Sequence, residues 1–176
     1  VSAKIWEWML HDQYGVINRI LQNAGVIEDS ITWTVSGAYL MGSIIAIDVW
    51  MTTPFMVLLI LAGLQLISDE INEAASIDGI PWWKKFWSIT LPLLAPTLGV
   101  AILFRTLDAL RMFDLSFVLA GRNMDAMTMS IYARDRLVNF LELGIGSAAS
   151  TLVFLVVGLF GVLIIGFFRL DRSAQS

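Results

Sequence analysis

Cysteine is absent from the 176 residues, histidine occurs once, and charged side chains make up only 15% of the chain. The first absence excludes disulfides and thiolate metal sites. The second leaves His11 without another imidazole to help hold a metal, and His11 reads as a solvated loop residue in a polar stretch. Low charge, a formal net charge of −4 and no basic cluster beyond Lys84-Lys85 argue against nucleic acid as a partner. No Gly-x-x-x-x-Gly-Lys-Ser/Thr phosphate loop occurs, so the chain itself is not expected to bind or hydrolyse ATP. No Ser/His/acid triad can be assembled around an isolated His11. The sequence implies neither an enzyme nor a cofactor.

What replaces charge is apolar length. Hydrophobic residues make up 57% of the chain, against roughly 45–50% in a soluble domain, and the excess is gathered into blocks. Ser147 to Phe168 and Leu91 to Phe104 contain no charged residue, and Tyr39 to Ser68 contains one, Asp48. A helix needs about 20 mainly apolar residues to cross the hydrocarbon core, so the first and last blocks suffice, and the middle one crosses if it continues through Arg105 and Asp108. The fold class expected is all-α: a polytopic membrane protein with three transmembrane helices in the lipid bilayer and no sheet.

The spans are expected at 35–67, 93–118 and 146–168. Residues 1–34 read as the end of a preceding span, with Trp6 and Trp8 at headgroup level, followed by a polar loop. The first span is longer than the bilayer core and should tilt, kink at Pro54 or project into water. Between the first two spans, 68–92 reads as a helix–turn–helix. Ser68 suits an N-cap with Asp69 and Glu70 in the positive first turn, Gly79 a C-terminal stop, and Pro81 the first turn of a second helix. A second polar loop is expected at 119–145 and a polar tail at 169–176. Lysines and arginines fall on both sides of the spans, so charge alone leaves orientation open.

The 68–92 segment carries a motif. It reads Glu73-Ala74-Ala75, three residues, Gly79, nine residues, then Ile89-Thr90-Leu91-Pro92. This resembles the EAA loop of the inner-membrane permeases of binding-protein-dependent ABC importers, at every fixed position. Asp78 before Gly79 and the Ile-Thr-Leu-Pro run resemble its maltose- and glycerol-phosphate-type, carbohydrate-carrying branch. Further stretches look like the same family: Tyr14 to Asn18, Val49-Trp50 with Pro54-Phe55, Leu61 to Gln65, Phe113-Asp114, and Gly144 to Ser150. After Leu119 the chain departs from it, with Ala120-Gly121-Arg122-Asn123 where the family has Thr-x-Gly-Gly-Pro, which implies a remodelled outer loop.

The resemblance implies a C-terminal fragment of a six-span permease in a bacterial or archaeal inner membrane. It implies that Glu73, Ala74, Ala75, Asp78, Gly79, Ile89, Leu91 and Pro92 couple the chain to a separate cytoplasmic ATP-binding subunit. It further implies a second permease subunit, an external substrate-binding protein, and a sugar or related polyol as substrate. The coupling hairpin and tail would be cytoplasmic, and the loops at 11–30 and 120–145 external. Trp82, Trp83, Phe86 and Trp87 would either fill the ATPase cleft or anchor the hairpin in the inner headgroup layer.

Charges near the membrane are the other candidates. Arg105, Asp108, Arg111 and Asp114 recur every three residues, so neighbours can pair along a slowly winding row. Charges inside a span usually face protein or a wet cavity. Asp48, Arg105 and Asp108 are therefore possible lining of a translocation path, with packing against a neighbouring span as the alternative. An ion-coupled secondary transporter would also use midplane acids and broken helices. Asp48 near Pro54 fits that pattern, but it leaves the spacing of the EAA motif unaccounted for.

Overall fold

The computed structural model describes residues 1–35 and 37–173, with side chains through residue 166, and every element among them is helical. In chain order these are α1 (Ser2–Met9), α2 (Val16–Asn23), α3 (Gly37–Leu64), α4 (Asp69–Ile77) and α5 (Trp82–Lys85). A π turn at Phe86–Thr90 leads into α6 (Leu91–Leu110), followed by α7 (Asp114–Ala120), a 3-10 turn at Met124–Ala126, and α8 (Met129–Arg134). A second π turn at Asp135–Asn139 precedes α9 (Leu143–Ser173).

Three helices are long and apolar enough to cross a membrane: Gly37–Leu64, Trp82–Leu110 and Leu143–Gly166. Their positions refine the sequence reading. The first holds as an α-helix through Pro54. Near this proline the Thr52 hydroxyl donates to the Asp48 carbonyl at 2.8 Å, the local back-bonding expected of Thr in a helix. The second is expected at 93–118. It starts instead at Trp82 and ends at Leu110, and the chain breaks at Arg111–Phe113 before α7. The apolar run after the break is absorbed by protein, with Leu115, Ser116 and Leu119 all buried. The third starts at Leu143, and its helix continues into the segment read as a polar tail; residues 174–176 of that tail lie outside the described residues. None of the residues in its most apolar window is buried, as suits a helix whose faces meet lipid or neighbouring subunits.

The chain divides into two compact units, Val1–Thr52 with Arg111–Val156, and Thr53–Leu110 with Val157–Ser176. The first has a core of Ala3, Leu10, Leu40, Ile44, Ile47, Leu115, Leu119 and Ala126, with α1 packed on α7. Trp6, read as a headgroup residue, packs against this core and lies edge-on to Trp50 at 5.3 Å; Trp8 is exposed. In the second unit α3 and α6 approach closely, since a Cβ on Gly63 would stand 2.6 Å from Thr97 Cγ2. Small residues permit such approaches where the hydrophobic effect cannot drive helices together.

Candidate functional site

The hairpin between the first two spans is built by local rules. Ser68 occupies the N-cap position in extended conformation, with Asp69 and Glu70 in the first turn of α4. The Ser68 hydroxyl makes no capping bond; its backbone carbonyl accepts from the Ile71 amide at 3.2 Å. The helix stops in a Schellman motif. The Ile80 N–H donates to the Ala75 carbonyl at 3.1 Å and the Gly79 N–H to the Ser76 carbonyl at 3.2 Å, with Gly79 at φ +66. A side chain at that φ is strained, so the motif's glycine answers to backbone geometry. Pro81 is the N-cap of α5 and not part of its first turn, and its carbonyl accepts from the Lys85 amide at 3.0 Å.

The Ile-Thr-Leu-Pro end of the motif also has a geometric reason. Proline lacks an N–H and its ring crowds the carbonyl four residues back, which for Pro92 is that of Ser88. The chain meets this with the π turn at Phe86–Thr90, closed by the Leu91 N–H on the Phe86 carbonyl. Ile89 and Leu91 sit half-buried at this junction, and Pro92 is exposed.

Within the motif the side chains divide. Ala75 is 3% exposed, its methyl already covered inside the chain, so Ala74 is the small residue left open to a partner. Glu73 and Asp78 are exposed, and neither makes an ion pair among the described residues. The hairpin's side-chain hydrogen bond is an internal one, Ser76 Oγ to the Asn72 carbonyl at 2.8 Å. Beyond the turn, Trp82, Trp83, Phe86 and Trp87 are 82%, 56%, 43% and 65% exposed.

The row of charges runs from α6 across the helix break into α7. Arg105 and Asp108 face each other at 3.9 Å, the outer limit of an ion pair, with the Asp108 side chain 71% exposed. Arg111 lies at the helix break and Asp114 opens α7, both exposed, with no ion pair between them among the described residues. Asp48 lies half-buried on α3, in the other unit.

Two polar clusters in the first unit were not singled out from the sequence. Asn18, 2% exposed, accepts at Oδ1 from Trp33 Nε1 (2.8 Å) and the Ile31 amide (3.3 Å), and donates from Nδ2 to the Ile31 carbonyl (3.0 Å) and the Asp12 carbonyl (3.4 Å). It thereby pins the loop over 24–33 to α2. Gly15, three residues earlier, lies where a Cβ would come within 2.6 Å of the Met9 carbonyl. The second cluster surrounds Asp135, 5% exposed, which accepts from Asn139 Nδ2 at 2.6 Å and faces Arg122 at 3.2 Å and Arg134 at 3.7 Å. Arg134 also lies 4.6 Å over the Phe117 ring. Beside it Arg136 pairs with Glu142 at 2.8 Å and stacks on Tyr132 and Phe140; the hydrogen bond that Arg136 donates to Glu142 raises its already high pKa. Leu141, between the two, holds φ +56, a strained setting for a bulky residue.

Over residues 15–173 the chain matches the family described as "Binding-protein-dependent transport system inner membrane component". It belongs to that family. Members are components of transport systems, and the hairpin just described lies inside the matched segment. Among relatives, the trehalose/maltose transport system permease protein MalF of Thermococcus litoralis is 45% identical over 97% of this chain and 58% of its own length. The sulfoquinovosyl glycerol transport system permease protein SmoG of Agrobacterium fabrum is 39% identical over 87% of this chain and 50% of its own. The trehalose transport system permease protein SugA of Mycobacterium tuberculosis is 41% identical over 73% and 42%. The chain therefore spans between two fifths and three fifths of the length of these relatives. Its fold matches a chain of a bacterial ABC transporter involved in the import of the acidic polysaccharide alginate, with a TM-score of 0.86 at 22% identity, covering 96% of this chain and 59% of that one.

Proposed function

We propose that the chain is part of the permease of a binding-protein-dependent ABC importer for a sugar or related polyol, and that 68–92 couples it to a separate cytoplasmic ATP-binding subunit. The observation that carries the reading is the hairpin. It joins a family motif matched at every fixed position to a glycine stop at φ +66 and an acidic helix whose Glu73 and Asp78 make no ion pair within the described chain. Charges held on a rigid helix and left open suit a partner that supplies the opposite sign. Ala74 allows its backbone to come close. Coupling then consists of moving α4 as one body, because the Schellman motif ties its end to the start of the second span.

In this reading the hairpin and the residues after the third span face the cytoplasm, and 11–30 and 120–145 face outward. A second permease subunit completes the path, an external binding protein delivers the substrate, and Asp48, Arg105 and Asp108 line the way. Asp108 suits that role because its carboxylate is largely open and only loosely engaged by Arg105, leaving oxygens able to accept from hydroxyl groups. Carbohydrate as the cargo is supported by the relatives, which are permease proteins of trehalose, maltose and sulfoquinovosyl glycerol transport systems.

The test is purification of the full-length protein with its native partners, comparing wild type with Gly79→Pro. Proline cannot reach φ +66, so the variant should lose an ATP-binding subunit that wild type retains. An Asp108→Asn preparation should keep that subunit and lose sugar-stimulated hydrolysis. Should wild type bring down no ATPase under conditions that preserve other importers, the reading fails.

A further inference from the structure

We infer that Trp82 to Trp87 forms a binding site for anionic phospholipid headgroups, so that the two arms of the hairpin address different surfaces: α4 a protein, and the arm after the turn the membrane itself. The inference starts from a split in charge. Before Gly79 the hairpin carries Asp69, Glu70, Glu73 and Asp78 and no basic residue; from Gly79 to Phe104 it carries Lys84 and Lys85 and no acid. Neither lysine makes an ion pair among the described residues. An anionic surface would repel the first arm and attract the second.

Length places the second arm at the right depth. The helix Trp82–Leu110 is 29 residues long, on the order of 43 Å at about 1.5 Å per residue, against a hydrocarbon core of about 30 Å. The surplus must leave the core. If 91–110 fill it, Lys84 and Lys85 lie roughly 10 Å outside; if 86–105 fill it, they lie within about 3 Å of its edge. The second limit puts the lysines inside a headgroup layer about 5–7.5 Å deep and brings Arg105 and Asp108 toward the opposite interface; the first puts them just beyond that layer, where a lysine stem still reaches phosphate.

Angle sorts the side chains. At about 100° per residue, Trp82, Phe86, Trp83 and Trp87 fall within roughly 140° of arc, and Lys84 and Lys85 occupy the remainder. All four aromatic rings are exposed, with Phe86 and Trp87 edge-on to each other at 5.5 Å. A short amphipathic segment with aromatic rings on one side and lysines on the other suits a membrane interface, where rings settle at headgroup level and lysine stems reach up to phosphate. A cleft on a soluble ATPase would instead have to cover four large rings while answering two positive charges, next to an arm of opposite sign. Each lysine near an anionic surface is worth about fivefold in affinity, so the pair should give on the order of 25-fold.

The experiment is tryptophan quenching in the full-length transporter, reconstituted in phosphatidylcholine and titrated with brominated phosphatidylglycerol or brominated phosphatidylcholine. The comparison is wild type against a Lys84→Gln/Lys85→Gln double variant. Wild type should be quenched by the anionic lipid at a mole fraction at least tenfold lower than by the neutral one, and high salt should narrow the gap. The double variant should lose that preference while keeping its helical content and its co-purifying ATP-binding subunit. Equal quenching of wild type by both lipids overturns the inference, as does a preference that survives in the double variant. Quenching that appears only when the ATP-binding subunit is removed would assign these rings to the protein cleft and overturn it as well.

Discussion

Asn18 and Glu73 are both polar residues on short helices flanking a membrane span, and they live in opposite circumstances. Asn18 is sealed, with both carboxamide atoms occupied by partners from its own chain. Glu73 is open and unpaired among the described residues. The contrast extends to their surroundings. The segments 11–33 and 111–142 satisfy their buried polar groups internally, through Asn18 and the Asp135 cluster, with the Arg136–Glu142 pair beside them. The hairpin over 68–90 satisfies its backbone and leaves its charges facing out. A region that uses up its own hydrogen-bonding capacity is built to hold a shape. One that keeps its shape mainly by backbone bonds leaves its charged side chains for something else.

The largest effect should come from Asn18→Leu. It leaves the half-buried Trp33 indole N–H and the Ile31 amide and carbonyl without their partner, and each such orphan costs up to about 1–3 kcal/mol where water does not reach it. A loss of about 3 kcal/mol is expected, read as a lower unfolding midpoint of the full-length protein in detergent; a change below about 1 kcal/mol would mean that water reaches this loop and the contrast is overdrawn. Next is Asp135→Ala. Breaking a buried pair costs about 3–5 kcal/mol, discounted here because Arg122 and Arg134 are 57% and 37% exposed. About 2 kcal/mol should be lost, with Asp135→Asn losing less, since its amide oxygen still accepts from Arg122. The smallest effect on stability should be that of Glu73→Gln, within about 0.5 kcal/mol, with retention of the ATP-binding subunit weakened several-fold in a pull-down. If Glu73→Gln instead destabilises as much as Asp135→Ala, the hairpin is as self-contained as the loops and the comparison collapses.

What was legible in the sequence follows from how local each cause is. The three spans could be read because twenty apolar residues in a row have few alternatives. The glycine stop could be read because a Schellman motif closes within six residues. The break at Arg111–Phe113 could not, because Leu115 to Leu119 are as apolar as the span before them, and composition does not say whether such residues meet lipid or a protein core. Asn18 stayed hidden for a different reason: its partners lie 13 and 15 positions away, in a loop without periodicity. Asp135 was hidden likewise, since Arg122 reaches it only once the loop has folded. In the hairpin, the sequence pattern anticipated the glycine stop, but not that Pro81 is an N-cap, nor that Ala75 is already covered while Ala74 is open.

The wide turn at Phe86–Thr90 has a consequence beyond accommodating Pro92. It holds one more residue than an α-turn, so it works as a spacer in angle more than in length. Everything N-terminal to it is rotated on the order of 100° about the helix axis from where an unbroken α-helix would carry it. The compass bearing of Trp82, Trp83 and the two lysines relative to the faces of the span is thus fixed by a proline a turn further on.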